Sequence, residues 1–106
     1  MNTHIVFDFL YDNSNIQKKL SILKNSNINK IIMKNIENQH INLLCSIINL
    51  YTNIKHIKLI DIANDIDNDK LSDAFINKLM DIINQRSNIK SLVIQEHNFL
   101  IDTFIF

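Results

Sequence analysis

No glycine occurs among the 106 residues. Phosphate-cradling loops, dinucleotide fingerprints, the nucleophile elbow of hydrolases and the sharp turn of a calcium loop all need glycine where the backbone takes positive φ or meets a ligand closely. None of those motifs is therefore present. Cys45 is the single cysteine and has no internal partner for a disulfide. The N-terminus has no basic region followed by a long apolar stretch, so secretion has no support and an intracellular, cytoplasmic protein is expected. Lys plus Arg number 11 and Asp plus Glu 11, which leaves no global field to draw the chain to nucleic acid or an anionic membrane. No apolar run approaches the roughly 20 residues that span a bilayer. Ile, Asn and Lys are abundant instead, as in the codon bias of an AT-rich genome, so spacing is weighed above residue identity.

Spacing shows a block that occurs three times. A hydroxyl residue is followed by Asn-Ile, two variable residues, an aliphatic, one variable residue and another aliphatic. The copies are Ser26-Asn27-Ile28 to Ile31 and Met33, Thr52-Asn53-Ile54 to Ile57 and Leu59, and Ser87-Asn88-Ile89 to Leu92 and Ile94. An Ile precedes each at the same distance (Ile22, Ile48, Ile83). The blocks lie 26 and 35 residues apart, and 26 residues before Ile31 and Met33 stand Ile5 and Phe7. A degenerate first copy thus begins at the N-terminus, and self-similarity at this period marks a repeat architecture. Each block alternates at its end, as in Ile57-Lys58-Leu59, which predicts four short strands with one face buried.

Between the strands the apolar period becomes helical. Ile16, Leu20 and Leu23, then Leu43, Ile47 and Leu50, then Phe75, Leu79 and Ile82 repeat spacings of four and three, each predicting a helix with one apolar stripe. The Asn of each block is expected to close its helix in the left-handed conformation, as the substitute for glycine. The following Ile would fold back on the Ile six residues earlier, pairing Ile28 with Ile22, Ile54 with Ile48 and Ile89 with Ile83.

With an aliphatic, two variable residues, an aliphatic, one variable and an aliphatic at Ile28, Ile31 and Met33, at Ile54, Ile57 and Leu59, and at Ile89, Leu92 and Ile94, the chain resembles the leucine-rich repeat family in its longer, helix-containing type. The resemblance implies an α/β fold: a leucine-rich-repeat-like solenoid with short parallel strands on one side, helices on the other and about four repeats. Residues 1–106 are expected to form a single repeat domain, with repeats at approximately 1–26, 27–52, 53–87 and 88–106. The family's usual Asn, three residues after the last aliphatic, is replaced by Ile36, Ile62 and His97. Asp12, Asn38 and Asn64 recur two residues later and are expected to supply the loops' backbone hydrogen bonds.

Candidate chemistry is sparse. The run Asp65-Ile66-Asp67-Asn68-Asp69 has Lys70 where a calcium loop needs glycine and Ile76 where it needs a bidentate Glu, so it reads as complementing a helix N-terminus. His40 and Cys45, five residues apart, point to different helix faces, and Cys45 reads as a small buried residue with no cationic neighbour. No catalytic residue, metal site or cofactor is expected.

The strand positions between the buried aliphatics face the other side of the sheet and stack in rows. The rows are His4, Lys30, His56 and Ser91; Val6, Ile32, Lys58 and Val93; and Asp8, Lys34, Ile60 and Gln95. Among these, Val6, Lys30, Ile32, Lys34, His56, Lys58, Ile60, Val93 and Gln95 form the candidate partner-binding surface, an apolar strip with a basic rim. The rows hold no aromatic for base stacking, which disfavours nucleic acid. The family resemblance implies non-catalytic recognition of another protein through this face. Two alternatives stand beside it: a compact α/β domain with a small-ligand or enzymatic role at its strand ends, and a fragment of a longer repeat protein. The apolar segment 99–106 is expected to fold back as an irregular cap, or to mediate self-association.

Overall fold

The computed structural model of the protein describes residues 4–11, 14–24, 27–60, 71–85, 88–95 and 101–106. It is an α/β structure with five strands and three helices among those residues. The order is β1 (His4–Asp8), α1 (Ile16–Lys24), β2 (Lys30–Lys34), a 3-10 turn (Asn38–His40), α2 (Ile41–Leu50), β3 (His56–Ile60), α3 (Asp73–Gln85), β4 (Ser91–Gln95) and β5 (Ile101–Ile105). The strands lie side by side in chain order. β1 to β4 are parallel, and β5 pairs antiparallel with β4.

The register follows the sequence blocks. Ile5 pairs with Ile31, Ile31 with Ile57 and Ile57 with Leu92, while Phe7, Met33, Leu59 and Ile94 form the parallel column two residues on. Apart from the partly buried Ile5, these side chains are buried in one cluster with the apolar faces of the helices. Alternation of side chains along a strand explains the pattern, since every second residue must point to the helical layer.

The segments entering β2, β3 and β4 are built alike. The Asn29 carbonyl accepts from the N–H groups of Lys55 (2.7 Å) and His56 (3.0 Å), and the Lys55 carbonyl from those of Lys90 (2.6 Å) and Ser91 (3.2 Å). Lys90, next in this column, accepts instead from Phe106 N–H at 2.9 Å. The C-terminal segment therefore closes the stack as a regular edge strand, where an irregular cap was expected.

Three helix expectations need correction. First, the buried stripe of α2 is Leu44, Ile47 and Ile48, while Leu50 is 72% exposed; consecutive aliphatics let the helix turn either of two apolar stripes inward. Second, Ile22 is 46% exposed, and its neighbour Leu23 takes the core position near Ile28 in sequence. Ile48, Ile54, Ile83 and Ile89 are buried as expected. Third, Asn53 is not left-handed. Asn35, at φ 55°, is the one residue with positive φ among the described ones. α2 ends instead with Tyr51 N–H donating to the Ile47 carbonyl (3.0 Å) and Ile54 N–H to the Tyr51 carbonyl (3.1 Å), so a tight turn through Thr52 and Asn53 satisfies the orphan groups.

α3 is started by Ser72, whose Oγ accepts the Phe75 N–H at 3.1 Å, with Asp73 complementing the first turn. The Ser72 N–H in turn donates to Asn38 Oδ1 at 2.7 Å, so Asn38 does supply a loop hydrogen bond. Asp12, Asn64 and the acidic run 65–69 lie outside the described residues. Ile36, standing where the family pattern has Asn, is buried.

Candidate functional site

One face of the sheet is covered by the helical layer, and the opposite face carries the intervening residues. Their rows are set by strand register: His4, Lys30, His56 and Ser91; Val6, Ile32, Lys58 and Val93; Asp8, Lys34, Ile60 and Gln95. Each stands beside its counterpart because the parallel strands align without a shift. His4 is exposed and the rest are half-buried, as expected for side chains flanked by neighbours in a sheet whose other face is covered.

β5 extends this face. Its pairing puts Ile101 beside Gln95, Thr103 beside Val93 and Ile105 beside Ser91. Phe104 and Asp102 stand opposite Leu92 and Ile94, on the helical side. Ile32, Val93 and Ile60 thus belong to a broader apolar surface that ends in Ile101 and Ile105, with Lys30, Lys34 and Lys58 among them.

Polar contacts hold two margins of the face. His56 Nδ1 and Ser91 Oγ are hydrogen-bonded at 2.8 Å, joining neighbours of the first row. At the C-terminal ends of the strands, Asp8 Oδ1 accepts from the Leu10 N–H (3.1 Å) and from Asn35 Nδ2 (2.7 Å). One carboxylate thereby ties the loop after β1 to the left-handed residue after β2. Asn is suited to that conformation through its short polar side chain. An Asn directly after an alternating strand is the sequence signal for this turn. Ser72 followed by Asp73 was likewise a legible cap signal.

Behind the strand ends, the His40 ring stacks on Phe9, and its Nδ1 accepts the Glu37 N–H at 2.9 Å. Burial pulls the His40 pKa below its ordinary value, against the opposing effect of Glu37. Cys45 lies elsewhere, in an open groove of about 490 Å³ between α2 and α3 that Asn42, Ser46, Lys78 and Asp81 also line. Burial pushes its thiol pKa up, and the Lys78 charge partly offsets this. The expectations of a buried thiol and of no cationic neighbour are both corrected: Cys45 is half-buried, and α3 brings the Lys78 charge into the same groove, a proximity that spacing within one helix does not reveal. Lys78 Nζ donates to Asn42 Oδ1 at 2.7 Å.

Among the described residues no group of three or more His, Cys, Asp or Glu side chains is placed to hold a metal ion. Among the same residues no helix is long and apolar enough to cross a membrane. Comparison with protein-family models, with curated proteins and with solved structures finds no match.

Proposed function

We propose that the chain is a non-catalytic module that recognises another protein through the outer face of its sheet, and that it is built as a leucine-rich-repeat-like solenoid of about four units. The observation that carries this reading is the unshifted register of β1 to β4, which aligns Val6, Ile32, Lys58 and Val93 across the sheet. A preformed surface of this kind binds with little ordering cost. Its β-branched side chains supply the desolvated centre, while Lys30, Lys34 and Lys58 orient an acidic partner. The strand order supports the solenoid further, because a doubly wound domain with a ligand site at its strand ends would reverse order at a switch point. Here the order follows the chain.

The test uses the chain as bait in a lysate of its source cells, alongside the variants Lys58→Glu and Ile32→Ser. A partner retained by the parent and lost with both variants, each keeping the parent circular dichroism and melting temperature, is the expected result. Retention by both variants overturns the outer face as the recognition surface.

A further inference from the structure

The two edges of the sheet are treated differently. On β1, the Lys19 ammonium donates to the outward carbonyl of Val6 at 2.5 Å and lies 5.8 Å from the centroid of the Phe7 ring. A charged side chain thus covers that edge, the usual defence against strand addition. The sequence of β5, Ile-Asp-Thr-Phe-Ile, has no basic residue. Ile101 is 59% and Ile105 83% exposed.

Hydrogen-bonded and non-bonded pairs alternate along an antiparallel ladder. Phe106 N–H donates to the Lys90 carbonyl, so the bonded pairs that follow are Leu92 with Phe104 and Ile94 with Asp102. Ile101, Thr103 and Ile105 consequently turn their N–H and C=O groups to the free edge.

We propose that this edge pairs antiparallel with the same edge of a second copy of the chain, about a two-fold axis through Thr103. That register sets Thr103 against Thr103, and Ile101 against Ile105 of the second copy on both sides of the axis. All outward groups of the three residues are then bonded. It also places Asp102, the only charge of the strand, opposite Phe104 of the second copy. Moving the axis to Asp102 would oppose two like charges, and moving it to Phe104 would leave only Thr103 and Ile105 of the strand in bonded pairs. An isologous contact must be self-complementary, and Ile-Asp-Thr-Phe-Ile is so in one register. The four isoleucines of the pair meet on the outer face, and the two sheets become continuous. This proposal stands apart from the recognition role of that face.

Sedimentation velocity of the 106-residue chain over a range of concentrations tests it, together with Thr103→Pro. Proline is tolerated on an edge strand where its nitrogen faces outward. This variant is expected to keep the parent circular dichroism while its self-association weakens by roughly tenfold or more, as bonds are lost at the centre. Should Thr103→Pro fold poorly, Thr103→Arg provides the same test through like charges directly opposed. In a mixture of labelled and unlabelled parent chains, isotope-filtered spectra are expected to show contacts between Ile101 and Ile105 methyls of different copies. A parent that stays monomeric overturns the proposal. A dimer without those contacts, or one unaffected by a folded variant, does so as well.

Discussion

The imidazole of His40 lies flat on the ring of Phe9, with centroids 3.9 Å apart and planes inclined by 17°. The Glu37 N–H donates to its Nδ1, so the bond requires that nitrogen unprotonated. Burial lowers the His40 pKa in the folded chain below the ordinary 6.5. The unfolded state therefore binds more protons in this window, and the His40 contribution to stability is present above pH 6.5 and is lost as pH falls toward the folded value. Melting temperature is expected to fall through that range. His40→Phe, which keeps a ring on Phe9 but cannot titrate, should flatten the fall. An unchanged slope in the variant would assign the pH dependence to other groups.

Ser72 caps α3 and is held in place by Asn38 from the preceding loop. Ser72→Ala removes the acceptor for the Phe75 N–H and is expected to cost about 1 kcal/mol, measured by urea denaturation. Asn38→Ala leaves the cap but frees the Ser72 backbone, so a smaller loss is expected. Because both act on one short network, the double variant should cost less than the sum. Strict additivity would show that the two bonds stabilise independently.

Ile57 is at the centre of the buried column, paired with Ile31 on one side and Leu92 on the other. Ile57→Ala is expected to destabilise by about 2–5 kcal/mol, and Ile57→Asp to unfold the chain, because a carboxylate there has neither water nor a partner. Circular dichroism and solubility read both. A variant Ile57→Asp that melts like the parent would contradict the observed register.

The register of β1 to β4 is legible from sequence because Ile5, Ile31, Ile57 and Leu92 each begin a short alternation whose phase only one burial pattern satisfies. The inward face of α2 is not legible in the same way. Leu43 beside Leu44 and Ile47 beside Ile48 provide two apolar stripes, and packing on the sheet and on α3 selects between them. β5 escapes a local reading too, since antiparallel pairing to β4 depends on the edge that β4 presents and not on any repeat. The membership of the outer rows is legible from alternation alone. Their content is harder to interpret, because an Ile32 or a Lys58 retained for binding has the same identity as one supplied by codon bias.

Cys45 provides a test of the groove between α2 and α3. Burial raises its thiol pKa, and Lys78 opposes that effect, so at neutral pH less thiolate is present than in a free cysteine. Alkylation by iodoacetamide is expected to run slower than that of N-acetylcysteine, with the midpoint of its rate-against-pH curve displaced upward. Lys78→Met removes the opposing charge and should move the midpoint further up. Steric shielding alone would scale the rate at every pH without moving the midpoint, so the whole profile must be measured. A midpoint that stays fixed in Lys78→Met would mean that the ammonium held by Asn42 is too well solvated to act on the thiol.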